Sequence, residues 1–407
     1  MSECPQLEIS TQHIGENRRN LIAVLRGSGE KKALLLNGHT DVVPVGERSA
    51  WTHDPFGAEV VDGVMYGRGT GDMKAGLLAE AAALRLLAER EGTLAGDVVF
   101  LATAGEEVDG CGAKASVRNW DMSQFSGTII AEPTGSVVVS AERGALWVKI
   151  HSAGVTAHGS VPETGVNAIQ YLIETLEKIR KGFNPQSVHP TLGKTTMNLG
   201  VFHGGLEPNI VPDSAWAVLD FRTVPGYAKE ELLALVNGAI AEVTAEHPDA
   251  KLWIELINDR PQVATDESDP LTQTAVEVNR ELGRSTAIEG KVACTDGSIL
   301  NTVCGTPMLI YGPGEASQAH VYDEYVRLED FHNSCLLYTS PEIQNILPRQ
   351  QPRQLPHAGQ PAEAGIKDPD RAVIHSGSPS AQRPAGSAGP AVRRSSSRRR
   401  SSAWDTC

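Results

Sequence analysis

The chain has 407 residues, room for two domains at ~100–200 residues each. With 40% apolar and 21% charged residues it is composed like a globular protein; its six cysteines are too few for a disulfide scaffold, and no apolar run reaches the ~18 residues of a membrane span. The formal charge of −14 argues against a nucleic-acid surface on the main body, and the lack of a basic leader followed by an apolar stretch predicts a reducing, cytoplasmic setting.

In chain order, Ala33–Leu36 is the first of four short apolar runs, each followed at once by polar residues or glycine. The segment Lys74 to Glu89 is rich in Ala and Leu and reads as a helix. Val98–Ala102 and Thr128–Ala131 are the second and third runs. From about Arg143 to Asn258 the pattern changes. It reads as strand Leu146–His151, helix Val166–Lys181, strands Thr195–Phe202 and Ala215–Phe221, helix Lys229–Glu246 and strand Leu252–Ile257. This βαββαβ order predicts a ferredoxin-like unit inserted into the first domain. That domain resumes near Arg260 and holds the fourth run, Met308–Tyr311, and a helix beginning at Phe331. Strands alternating with helices predict an α/β fold with a mostly parallel sheet, divided as 1–142, 143–258 and 259–340.

The remainder, 341–407, has another character. It carries ten Lys/Arg and five acids, net +5, which leaves 26 against 45, net −19, before it. It also holds nine of the 24 prolines and cannot bury enough apolar surface to offset its chain entropy, so it reads as a disordered basic tail, native or the product of a frameshift. Its run RRSSSRRRSS fits RNA or an acidic partner; a solvated tail is the simpler reading.

The chemistry lies at the ends of the four runs. In open α/β sheets, ligands bind beyond the carboxyl ends of the strands. Those ends here deliver His39 with Asp41, then Glu106 and Glu107, then Glu132, and finally His320 after Gly312-Pro313-Gly314. Asp72 ends the glycine-rich loop Gly67-Arg68-Gly69-Thr70-Gly71. Imidazoles with carboxylates suit Zn²⁺ or a related divalent ion. Five candidate ligands (His39, Asp72, Glu107, Glu132, His320) exceed the three protein ligands of a mononuclear catalytic zinc, and two ions ~3.5–4 Å apart would use all five. Asp41 is spaced to orient the His39 imidazole, and Glu106 is the spare carboxylate, placed to take a proton from water. Each has a plainer reading: Glu106-Glu107 as a solvated turn, Asp72 as a helix cap. No GxxxxGK[ST], HExxH or GxSxG motif competes.

Together the segments NGHTDVVP (37–44), Trp51 to Gly57, YGRGTGDMKAG (66–76), TAGEEVDGCGA (103–113), AEPT (131–134) and GPGEASQAHVYDEYV (312–326) resemble one family. It is the metal-dependent aminoacylase, acetylornithine deacetylase, succinyl-diaminopimelate desuccinylase and glutamate carboxypeptidase family, and the match runs in order from about Leu21 to Asp330. The resemblance implies that His39 and Glu132 bind one metal and Glu107 and His320 the other, with Asp72 as the bridge. Glu106 would be the general base and Asp41 would support a ligand. The Asp72–Met73 bond would be cis. In the insert, AHGSVPETGVNA (157–168) matches the stretch carrying an oxyanion-stabilising histidine, here His158, which in the family reaches the other subunit's site and implies a homodimer. Asn209 and Arg222 match positions that hold the substrate's carboxylate or carbonyl, and Gly312 and Gly314 would offer backbone amides. The cofactor implied is two Zn²⁺, with Co²⁺ or Mn²⁺ as substitutes. The substrate implied is an N-acyl amino acid cleaved at its amide; the alternatives are a dipeptidase or carboxypeptidase of the same family, or a catalytically inactive binding protein. The resemblance also implies a helix and a strand well ahead of the first metal motif, where the 38 residues before His39 read instead as strands.

Overall fold

A computed structural model of the chain describes residues 4–15, 17–90, 93–340 and 343. The proposed basic tail, 341–407, lies outside the described residues apart from Ile343. In chain order the strands of the two larger sheets are β1 (Leu7–Gly15), β2 (Arg18–Leu25), β3 (Ala33–His39), β4 (Val98–Thr103), β5 (Phe125–Ile130) and β6 (Val138–Glu142), then β7 (Gly144–Ala153), β8 (Thr196–Gly204), β9 (Ser214–Thr223) and β10 (Lys251–Arg260), and last β11 (Val263–Ala264), β12 (Ile288–Lys291) and β13 (Met308–Ile310). The helices are α1 (Ala75–Glu89), α2 (Cys111–Asn119), α3 (Ala168–Gly182), α4 (Lys229–Glu246), α5 (Pro270–Glu281), α6 (Gly297–Cys304) and α7 (Leu328–Thr339).

Among the described residues the larger sheet has nine strands in the order β1-β2-β4-β3-β5-β13-β6-β11, with β12 on β6. It is mixed, where the sequence pattern predicts a mostly parallel one. Parallel pairing joins the central strands β4-β3-β5-β13 and also β12 to β6, while β1–β2, β2–β4, β13–β6 and β11–β6 are antiparallel. Parallel neighbours need a crossover of a dozen residues or more, whereas β1 and β2 pair antiparallel and adjoin in sequence, with Gly15 opposite Arg18, so the flank forms without a helix. The strand-like reading of the residues before His39 matches β1, β2 and β3.

The apolar runs are uninterrupted because both sheet faces are covered. From β3, Leu34 and Leu36 join the core closed by α1, α5 and α7, through Leu84, Leu87, Leu271 and Leu337. Leu35 points the other way, into the core that holds Ala113 of α2 and Leu300 of α6. All three leucines are fully buried, each contributing about 1.5–3 kcal/mol relative to exposure.

The segment β7-α3-β8-β9-α4-β10 builds a separate four-stranded antiparallel sheet in the order β8-β9-β7-β10. This is the βαββαβ order read from the sequence. Residues of one face, Leu146, Val148, Ile150, Leu219 and Phe221, pack on Leu172, Ile179, Leu232 and Val236 of α3 and α4. The opposite face carries Trp147, Lys149, His151, Trp216, Asp220 and Arg222. No helix among the described residues is long and apolar enough to cross a membrane.

Candidate metal centre

Parallel pairing sets the strand ends level. His39 on β3 opposes Thr103 on β4, and Asn37 opposes Ile130 on β5. The segments that leave these strands therefore open at one edge, and they carry Glu106-Glu107 and Glu132. The loop before α1 supplies Asp72 and the stretch after β13 supplies His320.

The side chains converge. His39 Nε2 lies 3.2 Å from Asp72 Oδ1 and 3.4 Å from Glu132 Oε1. His320 Nε2 lies 3.0 Å from Glu107 Oε2 and 3.6 Å from Asp72 Oδ2. The two oxygens of Asp72 thus face different imidazoles. Ligand atoms of His39, Asp72 and Glu107 all fall within 4.8 Å of one another, as do those of His39, Glu106 and Glu132. His39 is buried, while His320 is half open to solvent and sits at φ +64°, a left-handed conformation costing about 1–3 kcal/mol, of the kind that collects at functional sites. The Asp72–Met73 peptide is cis.

The electrostatics show what this donor set lacks. Burial, reinforced by Glu132 and Asp296 and opposed by Arg260, pushes the Glu106 carboxyl up to about 8. Burial and then Asp72 push Glu107 up. Burial also works against charge on Glu132, but Lys291 and His39 outweigh it and hold that carboxyl down to about 2. Burial opposes charge on His39, yet hydrogen bonds to Asp72 and Glu132 raise it well above the usual imidazole range. Carboxylates this close hold protons unless positive charge is supplied. Two imidazoles and several carboxylates around one shared aspartate are a donor set that fits divalent cations.

Asp41 acts differently from the orientation its spacing predicts. Its carboxylate lies 3.9 Å from His39 Nδ1, which instead meets the Asp41 backbone carbonyl at 2.9 Å. The carboxylate accepts from the backbone N–H groups of Gly105, Glu106 and Glu107 at 2.7, 3.3 and 3.1 Å. Three successive amides form a nest for an anion, so Asp41 holds the turn that presents both glutamates. Of the two glycines expected to offer amides, Gly312 has its N–H committed. The Gly312 N–H already donates to Thr134 Oγ1 at 3.1 Å. A Cβ at Gly312 would sit 2.4 Å from the Glu132 carbonyl oxygen, and one at Gly314 would sit 2.5 Å from that of Gly71. Both are small where backbones carrying candidate metal ligands approach.

Arg222 lines the same cavity of about 540 Å³ as Asp72, Glu106, Glu107, Glu132 and His320, with Trp147, Asn258 and Arg260 on the wall. His158 and Asn209 do not line it. Both are exposed and lie together on the insert, where the Asn209 carbonyl accepts from the Gly159 N–H and His158 Nδ1 meets Ser160 Oγ at 2.7 Å.

Three residues at the centre escape sequence reasoning. Buried Glu324 accepts from the backbone N–H groups of Gly69, Gly71 and Asp72 at 3.1, 2.8 and 2.9 Å and pairs with Arg68 at 2.6 Å, so it shapes the loop carrying Asp72. Lys291 lies 3.3 Å from Glu132 Oε2. Arg260 meets Glu106 Oε1 at 2.6 Å. Glu324 stands in the motif 312–326 and has that signal; the other two have none, since their partners are far away in the chain.

The family model described as Peptidase family M20/M25/M40 matches residues 35–340. A Staphylococcus aureus (strain N315) protein named "Probable succinyl-diaminopimelate desuccinylase" is 30% identical over 360 residues, covering 81% of this chain and 87% of its own. The aminopeptidase PepT structure from Bacillus cereus ATCC 10987 superposes with a TM-score of 0.67 at 23% identity, covering 84% of this chain and 89% of its own. The YXEP protein of Bacillus subtilis, described as a dinuclear metal binding peptidase, gives 0.59 at 16% identity, covering 83% and 87%. The chain belongs to peptidase family M20/M25/M40, and is a metallohydrolase.

Proposed function

We propose that the chain hydrolyses the amide bond of an N-acyl amino acid, with two divalent cations, Zn²⁺ by preference. The observation that carries this reading is Asp72, whose oxygens face His39 on one side and His320 on the other. His39 and Glu132 would hold one ion, Glu107 and His320 the other, and Asp72 both. When bound, the ions supply Lewis acidity toward water and toward the scissile carbonyl. Glu106 takes the proton of the attacking water at Oε2, because Oε1 is committed to Arg260, and returns it to the leaving amine nitrogen. Arg222, held at Nε by Asp220, pairs with the substrate carboxylate from the cavity wall. Residues 143–258 act as a lid and dimerisation domain. His158 donates to the developing oxyanion in the partner subunit's site, and Asn209 beside it touches the same substrate. The exposure of His158 and Asn209 outside the cavity supports that assignment, as does the solvent-facing edge strand β8 with Leu199, Val201 and Phe202 exposed.

The desuccinylase name of the relatives favours a deacylase over a dipeptidase or carboxypeptidase. Turnover of N-acetyl and N-succinyl amino acids against dipeptides, with Zn²⁺, Co²⁺ or Mn²⁺ added back, separates them. The expected result is acyl amino acids preferred at least about tenfold in kcat/KM, and loss of about 10²–10⁴ in rate for Glu106→Ala. Preferred dipeptides would favour the peptidase; equal turnover by Glu106→Ala and wild type would defeat the assigned base.

A further inference from the structure

Strand β10 contains one extra residue. Leu256 opposes Val148 on β7 and Asn258 opposes Trp147, so Ile257 is bulged out. Before the bulge Trp253 and Glu255 share the open face of the sheet with His151 and Lys149; after it the even-numbered Asn258 and Arg260 share that face with Trp147 and Ala145. The bulge turns Arg260, rather than Asp259, toward the cavity. Asp259 points elsewhere, to Lys229 at 2.7 Å.

Ala145 has an arginine opposite it on each side, Arg222 from β9 and Arg260 from β10. Their partners differ. Arg222 donates Nε to Asp220 of its own strand. Arg260 crosses to the metal-bearing part of the chain, where Nη1 donates to Glu106 Oε1 at 2.6 Å and Nη2 to the Glu106 backbone carbonyl at 2.8 Å. Both side chains are buried, with 6% and 11% of their surfaces exposed, so water does not compete for the fork. A planar guanidinium that grips the carboxylate and the main chain of one residue fixes both the place and the rotamer of that side chain. A lysine, with one ammonium, reaches only one of the two acceptors.

We infer that Arg260 is the positioning residue of Glu106, holding Oε1 and the backbone so that Oε2 alone faces the reacting water. The inference rests on the reading of Glu106 as the base. It also makes alignment of that base depend on β10, the last strand of the insert, being seated against the Glu106 turn.

The test compares Arg260→Ala, Arg260→Lys and Glu106→Gln, alone and with Arg260→Ala, in full-length protein loaded with Zn²⁺. Steady-state kinetics and zinc content per chain are measured for each. The expected result for Arg260→Ala is kcat lower by about 10–100-fold with KM within about twofold and zinc content unchanged. Free guanidinium ion at millimolar concentration restores part of that loss, Arg260→Lys falls between, and the double variant is no slower than Glu106→Gln. Should Arg260→Ala fail to fold, Arg260→Lys carries the test, with kcat down about 3–10-fold at constant KM and zinc. An inactive Glu106→Gln beside an Arg260→Ala of wild-type kcat would overturn the positioning role and leave the base intact. An effect confined to KM, or a loss of zinc, would overturn it too, by making Arg260 a substrate or structural residue. A fully active Glu106→Gln would instead remove the base reading on which the inference stands.

Discussion

Glu80 shows how a single side chain can be misread. It sits in an Ala- and Leu-rich helix, where a glutamate reads as part of the solvent face, yet it is fully buried and no cation pairs with its carboxylate among the described residues. Burial pushes its carboxyl well above 4.5. The folded chain therefore keeps a proton that the unfolded chain releases above about pH 4.5. With more protons on the folded state, stability falls as pH rises, by up to about 1.4 kcal/mol per unit. Glu80→Gln stays neutral in both states and removes that part of the slope. Its thermal midpoint is expected to gain on wild type as pH rises above 5; a difference that stays constant with pH would show that Glu80 is not held neutral. The residues that converge at the candidate metal centre were legible because each comes after an apolar run that ends at a sheet edge or stands in a glycine-rich loop. Arg260 and Lys291 were not, because the partner of Arg260 lies 154 positions away and nothing local marks either one.

At the scale of elements, α1 and β5 must nearly touch for Asp72 and Glu132 to share a site. Gly76, in the first turn of α1, permits this, since a Cβ there would lie 1.9 Å from the carbonyl oxygen of Ala131, the residue before Glu132. Gly238, on the exposed side of α4, has open space around its missing Cβ. Gly76→Ala is expected to lose about 1–3 kcal/mol or more by overpacking, while Gly238→Ala gains about 0.5–1 kcal/mol from helix propensity. Urea unfolding of the two variants checks both signs; equal effects would mean that α1 moves away freely. The elements themselves were readable. The βαββαβ insert is encoded in its alternation of strand and helix periods, and α4 runs over the residues read from sequence. The mixed character of the large sheet was not readable, because strand direction depends on which neighbours pair and short apolar runs do not encode that. The bulge at Ile257 is equally silent, as it changes register without changing composition.

For the whole molecule, the separation of His158 from the metal-site cavity frames the proposed assembly. If His158 serves a partner subunit, Glu106→Ala and His158→Ala chains are complementary. Mixed and allowed to exchange, they form hybrids in which one of the two sites combines an intact Glu106 with an intact His158 from the other copy. Activity is expected to return to about a quarter of wild type. If His158 serves its own subunit, every site keeps a defect and the mixture stays as slow as its parts. Both outcomes presuppose cations among His39, Asp72, Glu107, Glu132 and His320, on which the proposed chemistry depends. The direct measurement is diffraction at the zinc absorption edge from crystals grown with Zn²⁺. Two anomalous peaks are expected on either side of Asp72, one against His39 and Glu132, the other against Glu107 and His320. No peak there, in crystals of protein that turns over substrate, would contradict a dinuclear centre.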